Sequence, residues 1–329
     1  MKSWQIIDFK PCIFGNPTVD VTINVVLTIV GLVMLCFGGN WLVSGGVAIA
    51  RKFRISNMII GMTIVAYGTS TPELAASVAA AGNHGAIILG NIIGSNIANV
   101  GMVIGITAIL VPLAVSKSVL RKEIPIMLGV SFLLVLISID GELSVYDGVL
   151  LLAGLGVFGY YTFKDAMKHR EENKENIEQN TNNLYLKSFG LIGLGVVLLY
   201  VGAILTVDNA VILAQEFGLS EKIIGLTVIA IGTSLPELIT SIIAIRKGHG
   251  DIGVGNIIGS NIYNILMIMG VGAALGGVMV SSDVFIDYAI MIVFSVSLLI
   301  ALKTGTVNRI MGACIAIGYV AYLVFTFFN

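Results

Sequence analysis

From residue 21 to residue 328 the chain consists almost wholly of apolar runs about twenty residues long, and this removes most of the folds open to a polypeptide. A run of that length covers ~30 Å of hydrocarbon at ~1.5 Å per helical residue. Ten are readable: 21–48, 57–80, 86–112, 122–139, 144–163, 187–214, 220–245, 251–277, 284–302 and 307–328. Hydrophobic residues make up 57% of the chain, charged residues 11%, and the mean hydropathy is +0.98. An ordinary soluble domain is about one quarter charged, so this chain belongs in a bilayer. There, only helices or a closed barrel satisfy the backbone. Barrel strands alternate apolar and polar residues over ~10 positions, whereas these runs are apolar all round. The expected fold is an all-α membrane protein with ten transmembrane helices.

The charges give the orientation. Of the 18 basic residues, 15 follow the first, third, fifth, seventh and ninth runs: Arg51, Lys52, Arg54, Lys117, Arg121, Lys122, Lys164, Lys168, Arg170, Lys174, Lys187, Arg246, Lys247, Lys303 and Arg309. The positive-inside rule then places both termini outside the cell, in a multi-pass protein of the cell membrane. Residues 1–20 lack the plan of a cleavable signal peptide and are read as an extracellular N-terminal extension. The polar break KDAMKHREENKENIEQNTNN, 164–183, sits in a cytoplasmic linker loop, 164–186, where a soluble partner could dock. No large extramembrane domain is possible, and neither a nucleic-acid nor a protein partner is evident. Cys12, Cys36 and Cys314 are too scattered for a disulfide framework or a metal cluster. No nucleophile, phosphate loop or catalytic cluster supports an enzyme, and no cofactor is implied.

The runs are also duplicated. GTSTPEL at 68–74 is matched by GTSLPEL at 232–238, and GNIIGSNIAN at 90–99 returns as GNIIGSNIYN at 255–264. An offset of 164 aligns the first pair of strings, so Glu73 corresponds to Glu237, and further matches include Gly31 with Gly195 and Gly38 with Gly202. Each half, 21–163 and 187–329, holds five crossings, an odd number. The second copy must enter the membrane the other way up, which makes an inverted repeat. Such repeats place a transport site near the midplane, at interrupted helices.

The local chemistry points to the same place. Glu73 and Glu237 are the only carboxylates well inside apolar runs, where an ionised group costs several kcal/mol unless it has a partner. No Lys, Arg or His lies deep in any run, which leaves bound cations, protons or a polar cavity. Thr69, Glu73 and Ser77 are spaced i, i+4, i+8, as are Thr233, Glu237 and Ser241, so hydroxyls flank each carboxylate on one helical stripe. Pro72 and Pro236 remove the helical partner of the Gly68 and Gly232 carbonyls. A hard cation such as Ca²⁺, which takes 6–8 oxygen ligands, would satisfy carbonyls and glutamates together. Ser95 with Asn99, and Ser260 with Asn264, could add hydroxyl and amide oxygens. Asn91, Asn96, Asn256 and Asn261 read as structural, and the Gly90–Gly94 and Gly255–Gly259 spacings as close helix packing. Asp208 and Asn209, near the outer end of the sixth run, suit an interfacial or gating role. His84 and His249 read as incidental.

At these strings the chain resembles the two alpha repeats of the sodium/calcium exchanger family, within the wider cation/calcium antiporter superfamily. The likeness covers essentially 21–328 and rests on two long motifs in the same order. It implies an antiporter that exchanges Na⁺ for Ca²⁺ across the cell membrane by alternating access, the first and sixth helices sliding across a core built from the second, third, seventh and eighth. Carried over by motif position, Glu73 and Glu237 would be the central calcium ligands, shared with sodium, and Thr69 and Thr233 would add oxygens. Ser70, Ser234, Ser95, Ser260 and the carbonyls of Ala66 and Ala230 would line flanking sodium sites, and Asn99 and Asn264 the middle one. Some microbial members have an aspartate where this chain has Asn264, so two formal negative charges stand here instead of three, enough for one Ca²⁺ or two Na⁺. A proton/calcium antiporter, a potassium-dependent exchanger and a cation channel remain as alternatives, although the proton-coupled relatives usually begin the glutamate motif Gly-Asn instead of Gly-Thr-Ser.

Overall fold

With no water to satisfy them, the backbone groups of an apolar run bond within the run. Helices accordingly fill the computed structural model, which describes residues 17–328 apart from 54, 81–84, 116–118, 173–181 and 217–229. The first, α1 (Pro17–Phe53), opens on a proline, whose missing N–H costs nothing in a first turn. Next, α2 starts at Asn57–Ile60 under a Ser56 cap, widens into a π-turn at Gly61–Val65 and closes at Ala66–Thr69. After a break at Ser70 comes α3 (Thr71–Ala80). Then α4 (Gly85–Ala98) continues through a π-turn at Asn99–Ile104 into Gly105–Leu110. Two further helices, α5 (Ile124–Ile137) and α6 (Val145–Glu172), complete the first half.

The second half repeats the plan with α7 (Asn182–Glu216), α8 (Ala230–Thr233), a break at Ser234 and α9 (Leu235–Arg246). Here α10 (Gly250–Tyr263) passes through a π-turn at Asn264–Met269 into Gly270–Gly276. Last come α11 (Val284–Ser297) and α12 (Arg309–Phe328). Among the described residues six helices are long and apolar enough to cross a membrane: Val21–Ala50, Ile88–Leu110, Val145–Lys168, Lys187–Ala210, Gly250–Gly276 and Arg309–Thr326. Other apolar runs form shorter pieces because Ser70 and Ser234 interrupt them, or because the run settles into 14-residue helices such as α5 and α11.

Two expectations need correction. The linker read as a loop over 164–186 is helical at both ends, since α6 runs on to Glu172 and α7 begins at Asn182. Its Lys, Ala, Met and Glu residues favour helix and no Gly or Pro stops them. Of the extension at 1–20, residues 17–20 already belong to α1 and the remainder lies outside the described residues. Short strands join the helices of this all-α fold. Four two-residue strands, β1 (Leu113–Ala114), β2 (Glu142–Leu143), β3 (Val278–Met279) and β4 (Thr306–Val307), form two antiparallel pairs. Leu113 pairs with Val307 and Leu143 with Val278, so each pair ties one half to the other.

The centre of the molecule is α4 and α10, buried almost all round, with Ile92, Ile93, Ile97, Ile257, Ile258 and Ile262 in one continuous core. The long helices α1 and α7 stand beside it and expose Ile29, Val33, Phe37, Leu194 and Val197 outward. They pack on one another through glycines. A Cβ on Gly38 would stand 2.8 Å from the Gly195 carbonyl oxygen, and one on Gly31 2.8 Å from that of Gly202. Rising numbers on α1 meet falling numbers on α7, so the two helices run antiparallel.

Candidate cation site

Each glutamate stands in the first turn of the helix that follows a broken one. Ser70 (φ −84°, ψ 9°) and Ser234 (φ −87°, ψ 0°) leave helical geometry just before Pro72 and Pro236, as a proline that cannot donate one turn back requires. The carboxylates are then enclosed: Glu73 is 2% exposed and Glu237 not at all, and neither pairs with a Lys, Arg or His. Burying an ionised group without a partner costs several kcal/mol, so the compensation must come from something other than a basic side chain.

Around Glu237 the polar groups are linked. Ser70 donates to its Oε1 at 3.0 Å and Ser260 at 3.3 Å, so hydroxyls from both halves meet on one carboxylate. The Thr69 hydroxyl lies 3.0 Å from Asn256 Oδ1 and 3.5 Å from Ser260 Oγ. The Asn256 amide donates in turn to Ser241 at 3.1 Å. The carbonyl of Ala66 already accepts from the Ser70 N–H at 3.0 Å and lies 3.2 Å from the Thr69 hydroxyl. The counterpart network around Glu73 is open. Ser95 Oγ, Ser234 Oγ, Ser77 Oγ and both amide atoms of Asn91 are buried without a hydrogen-bond partner.

A set of unused acceptors remains inside the protein: Glu73 Oε2, Glu237 Oε2, Asn99 Oδ1 and Asn264 Oδ1. Their elements pack together, the π-turn bearing Asn99 against α9 with Glu237, and the π-turn bearing Asn264 against α3 with Glu73. Each π-turn begins on its asparagine, as such turns often do at functional sites. Buried oxygens without donors are of the kind that a hard cation binds. Among the described residues no group of three His, Cys, Asp or Glu exists, so two carboxylates carry the charge and the rest must be neutral oxygen.

Of the residues expected at the site, Thr69, Ser70, Glu73, Ser95, Asn99, Thr233, Ser234, Glu237, Ser260 and Asn264 are all buried on these elements. Ala230 opens α8, but the segment before it lies outside the described residues. Gly255 and Gly259 pack closely, a Cβ on them meeting Met58 O at 2.7 Å and Met62 O at 2.6 Å. Gly90 and Gly94 meet no described atom within 4 Å, and the segment corresponding to Met58 and Met62 falls in the undescribed 217–229. Asn209 donates to the Leu205 carbonyl of its own helix at 2.7 Å, and Asp208 beside it is exposed. Asn256 had read as structural; its grip on Thr69 makes it part of the site's frame. Thr240, buried with an unpartnered hydroxyl, went unread because its counterpart is Ala76 and duplication gave no signal.

Comparison with known proteins gives the family. The family described as sodium/calcium exchanger protein matches residues 23–164 and again 187–328, one match per half. A putative antiporter, CaxA of Alkalimonas amylolytica, is 38% identical over 311 residues, spanning 90% of this chain and 96% of its own length. The sodium/calcium exchanger MaX1 of Methanosarcina acetivorans is 31% identical, spanning 94% and 99%. A solved structure of the sodium-calcium exchanger NCX_Mj, soaked with zero Na⁺ and Ca²⁺, superposes with a TM-score of 0.81 at 33% identity, covering 92% of this chain and 99% of that one. Doubled motif, paired buried glutamates and full-length likeness lead to one assignment: the chain belongs to the sodium/calcium exchanger family.

Proposed function

We propose that the protein is a secondary active antiporter that exchanges Na⁺ for Ca²⁺ across the cell membrane by alternating access. The observation that carries this reading is the pair of enclosed glutamates with no basic partner, set among buried oxygens that no donor fills. Two carboxylates balance one Ca²⁺ or two Na⁺, and an empty site keeps uncompensated charge. Its desolvation penalty opposes transit without a cation, so ions exchange instead of leaking. In this reading the ligands are Glu73, Glu237, Thr69, Thr233, Ser70, Ser234, Ser95, Ser260, Asn99 and Asn264, with the carbonyls of Ala66 and Ala230. MaX1 and NCX_Mj are named as sodium/calcium exchangers, which supports sodium as the coupling ion.

The same proposal includes ten crossings in two inverted five-helix repeats, with both termini outside. Antiparallel glycine packing between α1 and α7 supports it, as do the strand pairs, since duplication relates β1 to β3 and β2 to β4 and so maps the β1–β4 pair onto the β2–β3 pair. Alternating access also requires the two halves to differ in any one state. The closed network at Glu237 beside the open one at Glu73 is such a difference.

The test is ⁴⁵Ca²⁺ uptake into proteoliposomes, driven separately by sodium, potassium and proton gradients. Uptake that needs an outward sodium gradient is expected, and flux without any counter-ion would replace the antiporter with a channel. Glu73→Gln and Glu237→Gln each abolish uptake with the fold retained; wild-type uptake in either one would sink the assignment.

A further inference from the structure

Two asparagines outside the expected ligand set decide which way the ligand amides face. Asn264 donates through Nδ2 to Asn96 Oδ1 at 3.0 Å, and Asn99 donates through Nδ2 to Asn261 Oδ1 at 3.0 Å. Both bonds cross from one half of the molecule to the other. Asn96 and Asn261 are themselves held crosswise, Asn96 Nδ2 lying 3.4 Å from the Asn261 carbonyl and Asn261 Nδ2 3.5 Å from that of Asn96. Their amides also face sulfur, Asn96 Nδ2 standing 3.7 Å from Met291 Sδ and Asn261 Nδ2 3.5 Å from Met127 Sδ.

These contacts fix the sense of every amide in the chain of bonds. A backbone carbonyl and a thioether only accept, so the end of Asn96 that faces both must be its nitrogen. Its oxygen is then committed to Asn264, which has to answer with nitrogen, and the oxygen of Asn264 is left over. The same logic runs from Asn261 to Asn99. Both leftover oxygens, Asn264 Oδ1 and Asn99 Oδ1, are buried and unbonded. We infer that Asn96 and Asn261 are positioning residues that lock the two ligand amides with their oxygens toward the ions. This rests on the exchanger reading above and goes beyond it. It makes the two ligand amides acceptors only on the side of the ions, set by residues that touch no ion.

The test is a pair of double-mutant cycles on the purified full-length protein in detergent, with Ca²⁺ and Na⁺ binding each measured by titration calorimetry. One cycle combines Asn96→Ser with Asn264→Ala, the other Asn261→Ser with Asn99→Ala. Losing an orienting partner weakens binding about tenfold, the lower end for outer-shell groups at cation sites. Once the ligand amide is gone, the same change costs less than about twofold, whereas in the uncoupled combination Asn96→Ser with Asn99→Ala the two losses multiply. Unchanged affinity in Asn96→Ser, or losses that multiply in both combinations, overturns the proposal. If Asn96→Ser does not fold, the mirror variant Asn261→Ser carries the test; failure of both to fold assigns the pair to holding the halves together and overturns it as well. A wild-type protein that binds Na⁺ but not Ca²⁺ would sink the calcium reading and leave the cycles to be read on Na⁺. Binding of neither ion defeats both.

Discussion

A hydroxyl inside a membrane helix ordinarily bonds the carbonyl one turn back, and several buried ones away from the site do so. Thr107 bonds Val103, Ser131 bonds Met127, Ser138 bonds Leu134 and Thr206 bonds Gly202. At the site the habit fails, for Ser70 and Ser260 turn to Glu237 and Ser95 and Ser234 bond nothing. The glutamates were legible in the sequence because a carboxylate in an apolar run has few explanations. The sense of an asparagine amide was not, because its partner sits in the other half of the chain. Asn256→Leu should cost about 1–3 kcal/mol, since Thr69, Ser241 and the Glu237 carbonyl all lose a contact, and thermal melting in detergent reads it. Asn91→Leu at the unbonded counterpart should cost clearly less; an equal loss would show that the asymmetry between the two networks has no energetic weight.

The helices themselves were readable from run length, and their breaks from Pro72 and Pro236. The π-turns were not, because one wider turn leaves no mark on an apolar run. Ladders of two residues also fall below any periodic signal. For the long helices the decisive detail is how near α1 comes to α7. Gly38→Ala puts a methyl 2.8 Å from the Gly195 carbonyl oxygen and should destabilise by about 1–3 kcal/mol, read as a lower melting midpoint. Gly193→Ala, on α7 where nothing lies within 4 Å, is the matched control and should leave the midpoint unchanged or slightly higher. Equal midpoints for the two variants would mean that the helices part freely. Lys247, at the end of α9, donates to Ser44 Oγ at 2.8 Å and so joins α1 to the core at one face. Partial burial lowers the pKa of its ammonium from the ordinary lysine value.

At the scale of the molecule, charge placement predicts which faces meet which solution. In a background lacking Cys12, Cys36 and Cys314, cysteines introduced at Asp147 and Arg246 should react with a membrane-impermeant maleimide from opposite sides, Asp147 from outside. Labelling from one side would overturn the topology. The expected orientation rests on sequence alone, because 15 of 18 basic residues follow alternate apolar runs. The difference between the two halves of the site was not, since near-identical strings carry no record of which half is open.

The row of glycines on α1 has a consequence beyond packing. Gly31 meets Gly202 and Gly38 meets Gly195, while by duplication Gly31 corresponds to Gly195 and Gly38 to Gly202. The surface is therefore isologous, a patch meeting its own copy, which is how a two-fold homodimer associates. Two halves that share such a face should associate without a covalent link between them. Fragments 1–172 and 182–329, expressed together without the intervening residues, should still find each other in the membrane.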